Sequence, residues 1–140
     1  MIEIVNKRKL IGMFFVVSIG GIVAEVQASA VDELLNEYRS SGVKQVSPAA
    51  GEKLWKSSHV DSKSGQKRSC VTCHSSDLQK PGKHARTGKV IKPMAPSVNP
   101  ARLSDRKKIE KWFYRNCKWT LGRTCTEQEK ANVLSYLSSQ

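Results

Sequence analysis

Five residues, Cys70-Val71-Thr72-Cys73-His74, set two thiols three positions apart with an imidazole directly after the second. Thiols at that spacing can add to the two vinyl groups of a haem, and the adjoining imidazole then reaches the iron. Cys70 and Cys73 are therefore candidate attachment points for one haem c, and His74 is the candidate proximal ligand. Two other chemistries use paired cysteines. Structural zinc needs four ligands, commonly as two close pairs, but seven residues separate Cys117 from Cys125. Thiol exchange needs a strand–helix–strand setting, and no strand pattern flanks this motif.

A haem iron held by His74 has a second axial position, and four residues compete for it. Met94 is the only methionine beyond residue 30, but it lies two residues before Pro96, on a stretch expected to run along the proximal side. His84 sits in the basic loop KPGKHARTGK, and His59 in the polar stretch before Cys70. Asn116 follows Ile109, Trp112 and Phe113 at i, i+3, i+4 and i+7, so its amide shares the apolar side of a helix. That pattern is equally consistent with an asparagine that ends the helix in a left-handed turn.

The elements that must position these groups are predicted from periodicity and punctuation. Val31–Arg39 reads as a helix closed by Ser40-Ser41-Gly42. Ser47-Pro48 starts a second, with Ala50, Leu54 and Trp55 on one side. Residues 57–69 are polar and glycine-containing and read as a loop. Residues 75–101 hold four of the five prolines and read as a long connection, of the kind that wraps around something. A third helix is expected from Asp105 to Arg115 with Ser104 as its cap. The fourth starts at a capping box, Thr126 with Glu129, and its apolar side carries Val133, Leu134, Tyr136 and Leu137. Four helices with no strand pattern make a thin all-α core, which a bound prosthetic group would thicken.

Residues 1–30 read as a cleaved secretory leader. Lys7, Arg8 and Lys9 precede an apolar run from Leu10 to Ala24, and Ala28-Ser29-Ala30 offers small residues for cleavage. The run is shorter than the roughly 20 residues that span a bilayer, which disfavours a retained anchor. Residues 31–140 then form one exported, periplasmic domain with no stable membrane insertion. The whole chain carries 24 basic and 12 acidic residues. Export removes nucleic acid from the partners such a charge suggests, leaving an acidic protein or an anionic surface. It also leaves Cys117 and Cys125 free to pair.

AAGEKLW (49–55), VLSYL (133–137) and APSV (95–98) resemble segments of small class I cytochromes c. The resemblance implies that Gly51 lets the last helix cross closely, and that the Pro96 carbonyl takes the His74 Nδ1–H bond. RNCKWTLGRTCTEQEK (115–130) is similar to the signature of the sphaeroides haem protein group, SHP, oxygen-binding cytochromes of that class. It implies a class I cytochrome c-like fold of about four helices around one haem, with a Cys117–Cys125 disulfide. Asn116 becomes the distal ligand of the ferric iron, released on reduction beneath an apolar roof that includes Trp112. Oxygen or nitric oxide then binds the ferrous iron, and another cytochrome, a dihaem one among the candidates, donates electrons. The rivals are a plain electron carrier with a permanent sixth ligand and a haem enzyme acting on nitric oxide or peroxide. Peroxide cleavage calls for a distal acid–base residue, and helix 105–115 has none on its apolar side. Electron transfer with small-ligand binding is preferred to an enzyme.

Overall fold

A computed structural model describes residues 29–140, and the expected leader, residues 1–30, lies outside the described residues up to residue 28. Four helices carry the architecture. They are α1 (Ala30–Ser40), α2 (Pro48–Lys56), α3 (Arg106–Leu121) and α4 (Glu127–Ser138). Their starts follow local chemistry. The Ser47 side chain accepts the Ala50 N–H and Pro48 occupies the first turn of α2. In α4 the Thr126 and Glu129 side chains each accept the other's backbone N–H, as the capping box requires.

Helix α3 departs from expectation at both ends. Its cap is Asp105, whose carboxylate accepts the Lys108 N–H, while the Ser104 hydroxyl donates back to Ala101. At the far end α3 continues past Arg115 to Leu121, and Gly122 at φ 72° closes it. Glycine takes that left-handed conformation without steric cost.

Two hairpins appear where the sequence reads as loop. Strand β1 (His59–Val60) pairs antiparallel with β2 (Lys67–Arg68), and β3 (Gly82–Lys83) with β4 (Val90–Ile91). They are two-residue ladders and leave the fold all-α in character.

Apolar packing forms two clusters joined through α4. Leu34 and Tyr38 of α1 meet Ile109, Ala131 and Leu134, and the Tyr38 hydroxyl donates to Glu110, which Lys130 also holds at 2.9 Å. Trp55, Leu78 and Ala95 meet Val133, Tyr136 and Leu137. Each fully buried large side chain contributes roughly 1.5–3 kcal/mol. The α2–α4 crossing depends on Gly51, where a Cβ would stand 2.1 Å from the Asn132 carbonyl oxygen. Close helix approach at Gly51 is therefore as expected, and it is made against the Asn132–Val133 backbone.

Candidate haem site

The short 3₁₀ turn Cys70–Thr72 presents the attachment motif, and the Thr72 hydroxyl fixes its start by accepting the Ser69 N–H at 2.9 Å. The β3–β4 hairpin lies directly on the motif's backbone. Lys83 N–H donates to the Cys73 carbonyl at 2.8 Å, and a Cβ on Gly82 would fall 2.1 Å from that same oxygen. The Ala85 N–H points at the Cys73 sulfur, 3.4 Å away.

This turn opens into a cavity of about 830 Å³. Cys70, Cys73 and His74 line it from one part of the chain; Ile109, Trp112, Phe113 and Asn116 of α3 line it from another. Ile109 is buried, Phe113 half-buried, and Trp112 and Asn116 exposed. Trp112 and Asn116 thus face open space, while Ile109 and Phe113 also pack on the apolar clusters.

Electrostatics at the motif suit a ligating imidazole. Burial pushes the His74 pKa down to about 4, with the Arg102 charge a smaller contribution. Near neutral pH the ring is uncharged and has a lone pair for iron. Burial also pushes the Cys70 thiol up to about 11. A thiol used for exchange would be shifted the other way.

His74 Nδ1 and Trp55 Nε1 are buried with no hydrogen-bond partner among the described residues, and their rings stand 5.2 Å apart. Here the Pro96 expectation is corrected. His74 Nδ1 makes no bond to the Pro96 carbonyl, and Pro96 borders a separate depression beside Ser29–Glu33. The segment is held in another register. Met94 and Ala95 N–H groups both donate to the Leu78 carbonyl, at 2.9 and 3.0 Å, while Asn99 and Arg102 occupy the Pro93 carbonyl.

The other candidates are separated by position. His59 does not line the cavity, and its Nε2 is 2.8 Å from the Ser57 hydroxyl. Met94 lines it but packs with the cluster containing Trp55. His84 lines it with Nδ1 accepting the Arg86 and Thr87 N–H groups. Asn116 lies within α3 rather than at its end, which removes the helix-terminus alternative. Cys117, in the last turns of α3, is joined to Cys125, with Cα atoms 5.6 Å apart. A bridged pair cannot ligate zinc, and no cluster of three metal-binding side chains exists among the described residues.

Sequence reasoning missed Arg102. It lines the cavity half-buried, with Nε donating to Pro93 at 3.1 Å and Nη2 to Lys92 at 2.8 Å. It has no carboxylate partner among the described residues. A desolvated cation without a counter-ion is costly unless an anion completes it. Beside it Leu103 holds φ 61°, strained for a leucine. No local signal distinguishes Arg102 among so many basic residues.

A family model described as a domain of unknown function, DUF1924, matches residues 41–137. The cytochrome c-type protein SHP of Cereibacter sphaeroides is 49% identical over 72 residues, 51% of this chain and 55% of that protein. A solved structure of oxidised SHP, an oxygen-binding cytochrome c, superposes with a TM-score of 0.73 at 36% identity, covering 81% of this chain and all of that one. The chain belongs to this family of c-type cytochromes. The solution structure of Methylophilus methylotrophus cytochrome c'', which concerns haem-ligand detachment, matches with a TM-score of 0.67 at 31% identity, over 79% of this chain and 93% of that one. The chain spans about half the length of the curated relatives it matches.

The family places the four-helix domain in the class I cytochrome c-like fold, and its cofactor is one covalently bound haem c. The cavity fits that group. It offers two thiols, a neutral imidazole, an exposed indole at Trp112, two orphaned buried nitrogens and an unpaired cation. When bound, haem supplies a redox-active iron able to take a diatomic ligand.

Proposed function

We propose that this protein is a periplasmic monohaem cytochrome c with a releasable distal ligand. Cys70 and Cys73 hold the haem by thioethers, His74 is the proximal ligand and Asn116 is the distal ligand of the ferric state. Trp112 and Phe113 give the distal side an apolar lining, and Arg102 and Trp55 Nε1 offer donors to the haem carboxylates.

One observation carries the assignment of Asn116. It stands within α3 among the residues that border the cavity, in series with Ile109, Trp112 and Phe113. An amide oxygen is a hard donor, better matched to Fe(III) than to Fe(II). Reduction therefore weakens it, and the freed amide N–H can donate a hydrogen bond to oxygen or nitric oxide. A relative known for haem-ligand detachment and another that binds oxygen support this reading. Electrons come from another cytochrome, and the basic surface suits an acidic donor.

Export follows from the leader, with one refinement. Ser29 caps α1 by accepting the Asp32 N–H at 3.2 Å, and Ala30 is its first residue. Cleavage after Ala30 would strip that cap and place a positive amine at a helix start, against the dipole. Cleavage after Ala28 keeps the cap. N-terminal sequencing decides between them.

The test of function is Asn116→Ala. Its ferric haem should become high-spin or aquated with both thioethers intact, and it should bind cyanide faster than wild type. Unchanged spectrum and rates would remove Asn116 from the iron.

A further inference from the structure

The stretch between α2 and the attachment motif contributes no residue to the haem ligands or their cavity side chains beyond Ser69. It folds as the β1–β2 hairpin and packs on α3. We propose that Arg68, at its end, is a positioning residue that clamps the last turn of α3 and so sets how firmly Asn116 is held.

Arg68 Nη1 donates to Asp61 Oδ2 at 2.6 Å and to the Trp119 carbonyl at 3.2 Å. Nη2 reaches the Ser64 hydroxyl at 3.4 Å, and the guanidinium lies 4.8 Å from the Trp119 ring centroid. Both partners of the ion pair are largely sheltered, each side chain being 18% exposed. Asp61 is itself fixed, accepting from Ser64 N–H at 2.8 Å and from its hydroxyl at 2.6 Å.

The acceptor on α3 matters most. Trp119 is among the last four residues of the helix, whose carbonyls have no intrahelical donor. Arg68 supplies one from outside, the Nη1 of its planar fork serving the Asp61 carboxylate and the Trp119 carbonyl while Nη2 reaches Ser64. Arg68 also lies two residues before Cys70, and Trp119 three after Asn116 and inside the Cys117–Cys125 ring. The clamp thus ties the attachment segment to the helix turn that presents the distal amide. With the turn fixed, release is confined to the Asn116 side chain and recapture is fast. With the clamp cut, the turn frays and the amide leaves more often.

This inference rests on the Asn116 reading, and the experiment separates the two. The limiting rate of cyanide binding to the ferric holoprotein, at saturating cyanide, reports departure of the internal ligand. Arg68→Leu should raise that rate about tenfold, the loss of one charge-assisted hydrogen bond. Arg68→Lys, which keeps the charge but not the fork, should recover part of it. In an Asn116→Ala background Arg68→Leu should add nothing. Amide exchange at Lys118–Gly122 should lose about tenfold protection in Arg68→Leu, a readout independent of which residue ligates the iron. Wild-type exchange and cyanide rates in Arg68→Leu overturn the clamp, as does an equal acceleration in the Asn116→Ala background. If Asn116→Ala leaves the limiting rate unchanged, the ligand reading fails while exchange still judges the clamp. Should Arg68→Leu not fold, Asp61→Asn should raise the rate two- to threefold, and no rise counts against the clamp.

Discussion

Replacing Gly82 with alanine tests how the β3–β4 hairpin supports the haem-attachment backbone. The added Cβ would stand 2.1 Å from the Cys73 carbonyl oxygen and 2.9 Å from His74 Cα. Both contacts are backbone, so neither can rotate away. Ordinary contact begins at 3.4 Å, so the hairpin must retreat by about 1.3 Å. That lengthens the 2.8 Å bond from Lys83 N–H to the Cys73 carbonyl beyond hydrogen-bonding range. The lost bond costs about 1 kcal/mol. Overpacking adds roughly 2 kcal/mol. Restricting the unfolded chain returns about 0.7 kcal/mol. The net destabilisation is about 2 kcal/mol, a fall in Tm on the order of 10 °C for a domain of this size. Denaturant unfolding of ferric holoprotein, followed at the Soret band, measures it. Lys83→Ala, which leaves the backbone bond intact, should be near neutral. A Gly82→Ala variant within about 0.5 kcal/mol of wild type would refute the close-contact reasoning.

The Cys117→Ser/Cys125→Ser pair should lose roughly 2.5 kcal/mol for a nine-residue loop in the chain-entropy model, measured by denaturant unfolding. Its ferric spectrum should shift toward high spin, and a spectrum unchanged from wild type would show that the ring does not hold Asn116. The Glu129 carboxyl is held down to about 2, chiefly by the Arg123 guanidinium. Because its folded pKa lies below the unfolded value, its contribution is complete above about pH 4.3 and disappears as pH falls toward 2. Glu129→Gln should therefore destabilise at pH 7 and flatten the loss of stability between pH 4 and 2, followed by thermal melts across that range. Arg102→Gln removes a half-buried positive charge beside the cavity, which disfavours the ferric state. Its reduction potential should fall, and a potential equal to wild type in spectroelectrochemistry would place Arg102 outside the haem's field.

What could be read in the sequence was what local chemistry decides. Cys70, Cys73 and His74 declare themselves by type and spacing, and the Ser47-Pro48 start and Thr126–Glu129 box are completed within one helical turn. The hairpins were invisible because their order comes from distant partners. HVDSKSGQKR has no alternation, yet Asp61 and Arg68 pair across it and Arg68 reaches Trp119, 51 residues away. Pro96 failed for the same reason, since the register of KPMAPSV is set by the Leu78 carbonyl. Helix α3 runs past the expected end at Arg115 because the cysteine ring does not interrupt it. Cys117 is accommodated inside the helix, and the stop signal is Gly122.

The central claim is a distal ligand present in the oxidised haem and absent from the reduced one. Absorption spectra of the ferric protein, the ferrous protein under argon, and the ferrous protein after admission of air test it directly. The account predicts a low-spin six-coordinate ferric spectrum, a high-spin five-coordinate ferrous spectrum, and a change on adding oxygen that precedes reoxidation. A ferrous spectrum that stays low-spin under argon and does not change with oxygen except by slow oxidation would contradict it, and would show a permanent sixth ligand.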